Sequence, residues 1–308
     1  MNWKVLSIKS IRFFKVGRIL KDKLHSSWMF VSFIIVLLLP FLLGIGLFLK
    51  SNLIIKEESL LQLLFSSQWH PMKGEFGFLP FIISSLWVTV LSILICGPIC
   101  LFSAIHLTHY AKRGMLKIMH PVIDILAGIP SVIYGVWGII LIVPFISRLG
   151  ASLGHPNSGY TILTGAIVLS VMIIPFILNI LIEVINTVPQ ELEEASLSLG
   201  ATKWETIKKV ILKKSFPGII SAFGLGISRA FGETIAVLMV VGNVVKIPKG
   251  VFQPGYPLPS LIANNYGEML SIPMYDSALM FAALILFVVV TAFNIASRYL
   301  IIYSERRI

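Results

Sequence analysis

Glu194-Ala195-Ser196-Leu197-Ser198-Leu199-Gly200-Ala201-Thr202 is a short polar insert between two long apolar segments. Further along, Arg229-Ala230-Phe231-Gly232-Glu233-Thr234 sets two opposite charges inside an otherwise apolar run. The first stretch reads as a handle for a soluble partner. The second reads as a charged site at membrane depth. Together they point to a transport permease driven from outside its own chain.

Composition sets the class. The chain has 308 residues, 56% of them hydrophobic and only 13% charged, with a mean hydropathy of +0.91. A soluble domain of this size needs far more polar surface. Apolar runs long enough to cross a bilayer recur along the whole length, so the expected fold is all-α and membrane-spanning. Cys96 and Cys100 lie four apart in an apolar segment and read as two small buried residues on one helix face, not as a disulfide framework. The N-terminal apolar run is long and lacks a small-residue cleavage signal, so it reads as an uncleaved first span.

Six spans are expected, each near the roughly 20 apolar residues that a bilayer requires. They fall near Trp28–Leu49, Leu79–Leu107, Pro121–Ile146, Thr161–Ile182, Pro217–Val245 and Ser277–Tyr303. The third is interrupted by Gly128, Pro130, Gly135 and Gly138, and Pro175 is expected to kink the fourth. The chain thus divides into an N-terminal arm at 1–27, a first transmembrane helix at 28–49, and a core at 79–303 that holds a polar loop at 188–216.

Basic residues orient these spans. One face collects Lys4, Lys9, Arg12, Lys15, Arg18, Lys21 and Lys23, then Lys112, Arg113 and Lys117. The same face holds Lys203, Lys208, Lys209, Lys213 and Lys214, and finally Arg298, Arg306 and Arg307. The other has only Lys50, Lys56, Lys73, Arg148, Lys246 and Lys249. Basic residues gather on the cytoplasmic side, so both termini are expected there. The net charge of +11 is explained without nucleic acid.

The loop has internal order. Proline fits a first helical turn, so Val188-Pro189-Gln190 can begin a helix. Leu192, Ala195 and Leu199 then share one face. Gly200 is placed to end that helix in a left-handed conformation. Thr202-Lys203-Trp204-Glu205 reads as a capping box opening a second helix. By its residues alone, the segment is either a docking element or an ordinary solvated loop.

Glu194-Ala195-Ser196, then Gly200, then Val210-Ile211-Leu212-Lys213, resembles the EAA loop of ABC importer permeases. That element docks into a cleft of the cytoplasmic ATPase, and the resemblance carries Glu194, Ala195 and Gly200 over as ATPase-coupling positions. Lys213 stands where the family has proline, which leaves the second helix unbroken. No Gly-x-x-x-x-Gly-Lys-Ser/Thr sequence occurs, so the chain has no P-loop of its own and any nucleotide chemistry belongs to a partner.

Arg229 and Glu233 are four apart, which on a continuous helix places them on one face. An ionisable residue deep in a span costs from about 2.5 to well over 10 kcal/mol, and is kept facing protein or water. Two readings stand. The pair is a structural neutralisation, or Arg229 forms part of a transient anion site with Glu233 holding it. Guanidinium suits bidentate phosphate or carboxylate contact, and the hydroxyls of Ser228 and Thr234 flank it.

The run Gly226-Ile227-Ser228-Arg229-Ala230-Phe231-Gly232-Glu233-Thr234-Ile235-Ala236-Val237-Leu238-Met239-Val240-Val241-Gly242-Asn243 resembles the fifth-span signature of the PstC family of phosphate permeases. Ala127-Gly128-Ile129-Pro130-Ser131-Val132-Ile133-Tyr134-Gly135-Val136-Trp137-Gly138 resembles its third span. The sister PstA family shares Arg-Ala-x-Gly-Glu-Thr but continues Ala-Pro-Leu-Leu, where this chain has Ile-Ala-Val-Leu. The resemblance covers roughly residues 80–300. It implies a type I, MetI-like permease fold in the bacterial inner membrane. It also implies a PstA-like second permease, a PstB-like ATPase dimer, a phosphate-binding protein, and phosphate as cargo.

Other chemistry is weakly signalled. His106, His109 and His120 read as interfacial residues, and Asp124 and Glu183 lie near span ends where water is available. Trp28, Trp69, Trp87 and Tyr303 fit interface or packing roles. No Ser-His-Asp set, zinc motif or nucleotide fold occurs, so no catalytic residue, metal or cofactor is expected. An ABC permease for sulfate or molybdate, and an ion-coupled secondary transporter, are the alternatives. The Arg-Ala-x-Gly-Glu-Thr signature speaks against the first and the EAA-like loop against the second.

Overall fold

A computed structural model describes residues 3–269 and 272–305. Arg306 and Arg307, counted above among the basic residues, lie outside the described residues. The chain divides at Lys50 into two units.

The first unit is one helix, α1 (Trp3–Lys50), which runs on through Pro40. Its stretch Lys21–Lys50 is long and apolar enough to cross a membrane. None of that stretch is buried: Trp28, Phe33, Phe41 and Leu49 are all exposed. A helix that is apolar all round is covered by lipid or by other protein.

The second unit opens with two short helices, α2 (Asn52–Glu57) and α3 (Leu60–Phe65). A hairpin follows, β1 (Trp69–His70) antiparallel to β2 (Glu75–Phe76). The first long helix here is α4 (Leu79–Ile105), and a wider π turn, His106–Tyr110, closes it. Next come α5 (Arg113–Gly128), α6 (Ser131–Trp137), a second π turn at Gly138–Ile142, and α7 (Val143–Ser152). Then come α8 (Ile162–Asn186), α9 (Gln190–Ser198), α10 (Lys203–Thr206), a third π turn at Ile207–Ile211, and α11 (Leu212–Gly232). The chain ends with α12 (Ile235–Leu238), α13 (Leu258–Met269) and α14 (Pro273–Glu305).

Among the described residues, six stretches meet the length and composition of a membrane span, as expected. Two expected boundaries are corrected. The third span is Ser131–Ser152 rather than Pro121–Ile146. Ile129 takes an extended backbone ahead of Pro130, which ends α5 and makes 113–128 a separate amphipathic helix. The fifth span is part of a helix that runs Lys203–Gly232 and stops well short of Val245.

α8 is the most enclosed span, with two thirds of its apolar window buried. It packs against α4, α11, α5 and α12. Thr161 caps it, accepting the Thr164 N–H at 3.2 Å. Cys96 and Cys100 are both buried and free, and the Cys100 thiol points to the Ile174 carbonyl across the α4–α8 contact. Small residues bring helices close. A Cβ on Gly138 would meet Val168 at 2.6 Å and Val240 at 2.9 Å, so α6 and its π turn can lie directly on α8 and the segment after α11.

A second apolar cluster sits at the far end of α4 and α14. The Trp69 ring meets Phe76, Phe78, Phe81 and Tyr275 edge-on at centroid distances of 4.9–6.0 Å. Trp69 is thus a packing residue of this cap.

Candidate functional site

The polar loop folds as its residues dictate. Pro189 precedes α9, and Gly200 follows it with φ +85°, the left-handed conformation expected of a C-terminal cap. Gly200 N–H and Ala201 N–H bond back to Leu197 and Ser196 carbonyls. Thr202 and Glu205 then form a complete capping box: Glu205 N–H donates to Thr202 Oγ1, and Thr202 N–H donates to Glu205 Oε2 at 3.0 Å. A helix, a tight left-handed turn and a second helix result.

The loop presents apolar side chains to solvent. Leu199, at the turn, is 90% exposed, and Leu192, Leu197 and Trp204 are exposed beside it. Glu194, Ala195 and Gly200 are exposed as well. An apolar tip rimmed by carboxylates is unfavourable in water alone and fits a surface that is covered in use. Ser196 and Thr206 hydroxyls, 2.9 Å apart, tie the two arms together.

From Lys203 the backbone stays helical to Gly232 with no proline break at Lys213. At about 1.5 Å per residue, this stretch, with Pro217 inside it, spans roughly 39 Å from Lys203 to Arg229. The two sequence motifs thus occupy opposite ends of one element.

The Arg229–Glu233 relation differs from the sequence expectation. The helix ends at Gly232, and Glu233 has an extended backbone, so the two do not share a helix face. Among the described residues Arg229 makes no ion pair. Its guanidinium lies over the Phe176 ring of α8, 4.6 Å from the centroid, and is exposed. Glu233 turns the other way, and its Oε1 accepts the Ala236 N–H at 3.2 Å, capping α12.

The flanking hydroxyls are occupied. Ser228 Oγ bonds the Gly224 carbonyl at 3.0 Å and Asn294 Oδ1 of α14 at 2.9 Å. Thr234 Oγ1 donates to the Gly232 carbonyl at 3.2 Å. Phe176 and Asn294 were not picked out from sequence. Nothing in an apolar run marks Phe176 as a seat for a cation. Asn294, a lone amide within an apolar span, was a readable signal.

Residues 97–308 match the family described as "Binding-protein-dependent transport system inner membrane component". The chain belongs to this family. The permease is 38% identical over 258 residues to the "Probable ABC transporter permease protein YqgH" of Bacillus subtilis, covering 83% of this chain and 81% of that one. It is 34% identical to the "Phosphate transport system permease protein PstC" of Xylella fastidiosa, covering 79% of each. It is 33% identical to a "Probable phosphate transport system permease protein PstC" of Methanocaldococcus jannaschii, over 86% and 89%. In structure it is similar to a chain of the inward-facing MetNI methionine ABC transporter, with a TM-score of 0.51 and 18% identity, covering 77% of the permease and 99% of that chain. That likeness establishes the MetI-like fold of the type I importers.

Proposed function

We propose that this permease forms half of the translocation pathway of an ATP-driven phosphate importer in the bacterial cytoplasmic (inner) membrane, with both termini cytoplasmic. Its proposed partners are a PstA-like permease, a PstB-like ATPase dimer and a phosphate-binding protein on the opposite side. Relatives named as phosphate permeases over about four fifths of the chain support the substrate. The observation that carries the reading is Arg229, an exposed guanidinium read at membrane depth that makes no ion pair among the described residues. Such a charge is tolerated only against water, protein or a passing anion.

An open groove of about 720 Å³ between α11 and α14 supports the second permease subunit. Ser221, Thr291, Asn294, Ser297 and Arg298 line it. Polar side chains facing outward from a span favour closure by another protein surface over lipid. Glu194, Ala195 and Gly200 are proposed as the ATPase-docking positions. ATP turnover on the partner shifts the loop, and the Lys203–Gly232 rod moves Arg229 between the two sides. Phosphate meets the planar guanidinium with two N–H donors and leaves when the rod shifts.

The test is reconstitution of the purified complex in proteoliposomes with labelled phosphate or labelled sulfate. ATP-dependent accumulation of phosphate over sulfate is the expected result. Equal accumulation of both, or uptake without ATP, refutes the proposal.

A further inference from the structure

The polar loop is attached to the membrane domain through more than its own chain. The last carbonyls of a helix have no partner within it, and a cation placed there satisfies them and faces the negative end of the helix dipole. At the end of α4, Lys203 Nζ donates to the His109 carbonyl. The same ammonium stands 4.8 Å from the centroid of the Tyr110 ring, and that ring stacks on His106. From the other arm of the loop, Glu193 Oε2 lies 3.7 Å from His109 Nδ1, with the imidazole only 12% exposed. Lys203 opens α10 and Glu193 belongs to α9. Both arms therefore grip the same residues of α4, which is not their sequence neighbour.

The opposite end of α4 is held as well. Ser84 and Ser85 hydroxyls accept the N–H groups of Tyr256 and Leu258 at 3.1 and 2.8 Å, where the chain enters α13. Between Ser85 and Tyr110 the helix spans roughly 37 Å at about 1.5 Å per residue. α4 thus joins the polar loop to the cap on the far side of the membrane, alongside the Lys203–Gly232 rod.

We infer that Lys203 and His109 are positioning residues that make α4 a second strut, so that movement of the loop reaches the far-side cap as well as Arg229. The inference rests on the ATP-driven reading above. A lysine that only capped a helix would affect stability alone. One that transmits movement sets how much phosphate crosses for each ATP consumed.

The experiment compares Lys203→Met, Lys203→Arg and His109→Ala with the unaltered permease, each purified as the full complex and reconstituted with the phosphate-binding protein. ATP hydrolysis and labelled inorganic phosphate uptake are measured together. For Lys203→Met and His109→Ala, the expected result is normal recovery of the ATPase subunit, unchanged basal hydrolysis, and a fall of at least fivefold in phosphate moved per ATP. Lys203→Arg, which still donates to the carbonyl and stacks on Tyr110, keeps most of the ratio. An unchanged ratio in Lys203→Met overturns the inference. So does loss of the ATPase subunit from that variant, which would make Lys203 part of the dock itself. Failure of the unaltered complex to couple hydrolysis to phosphate uptake would instead refute the transport reading.

Discussion

Gly200 offers a clean perturbation of the proposed dock, because its substitution acts through one variable. Its φ of +85° lies in the left-handed region, and a Cβ built there meets nothing within 4 Å. Steric collision is therefore absent, and the whole penalty is backbone conformation, about 1–2 kcal/mol for an ordinary L residue. β-Branched valine lies at the upper end of that range, whereas asparagine tolerates the left-handed region and lies near the bottom. If the turn must keep this shape to dock, the penalty appears as lost affinity. At 1.4 kcal/mol per factor of ten, Gly200→Val weakens ATPase association about 5–30-fold, Gly200→Ala less, and Gly200→Asn least. The assay is titration of detergent-solubilised permease complex with the ATPase subunit. Gly154 supplies the control, since it also has a positive φ (+78°) and open space around it but lies outside the loop. Gly154→Val carries the same strain and leaves ATPase affinity unchanged. Equal affinities across the Gly200 series, or equal losses in Gly200→Val and Gly154→Val, refute the reasoning.

Topology is checked by cysteine labelling in intact cells. A cysteine at Met72, 87% exposed in the hairpin, reacts with an impermeant reagent, and one at Ser198 does not; equal reaction of both overturns the orientation. Arg229→Gln abolishes uptake while the complex still assembles, and Arg229→Gln/Glu233→Gln stays inactive, because among the described residues Arg229 and Glu233 form no ion pair for the second change to relieve. Recovery of near-normal uptake in the double variant would return the pair to a structural role. Gly138→Val drives a side chain into Val168 and Val240 and destabilises the permease by about 1–3 kcal/mol, read as a lower melting midpoint of the solubilised complex; an unchanged midpoint contradicts the close helix approach.

What was legible in the chain follows from locality. The fourth span could be placed near Thr161–Ile182 because a long apolar run is a local signal, and the structure starts that helix at Ile162 with Thr161 as its cap. The turn at Gly200 and the capping box at Thr202 are equally local, and both form as read. The third span was displaced because residues 121–128 are apolar enough to pass for membrane. They belong to an amphipathic helix that packs beside α8 with Ile123 buried and that ends at Gly128, where Ile129 turns extended ahead of Pro130. The end of the fifth span was hidden for a related reason. Ile235 through Val241 continues the apolar pattern, and the helix stops where Glu233 turns to cap α12, which lies on α6. A spacing of four implies a shared face only while the helix continues, so the Arg229–Glu233 pairing failed with it.

The break at Gly232 changes what the two charges mean. Had the helix continued, Arg229 would carry its neutraliser with it, and its movement would transport no net charge past Phe176. With Glu233 fixed to Ala236 N–H in the next element, the cation alone ends the rod. A lone guanidinium at membrane depth is costly, and cation–π contact with Phe176 offsets only about 0.5–2 kcal/mol of that cost. An anion at Arg229 would offset far more. On the proposed reading, cargo would stabilise the arrangement in which it is held, and the helix that carries Arg229 begins at the turn where ATP-driven force is proposed to enter. The helix runs without interruption through Lys213, where the resemblance has proline, and on through Pro217 to Gly232.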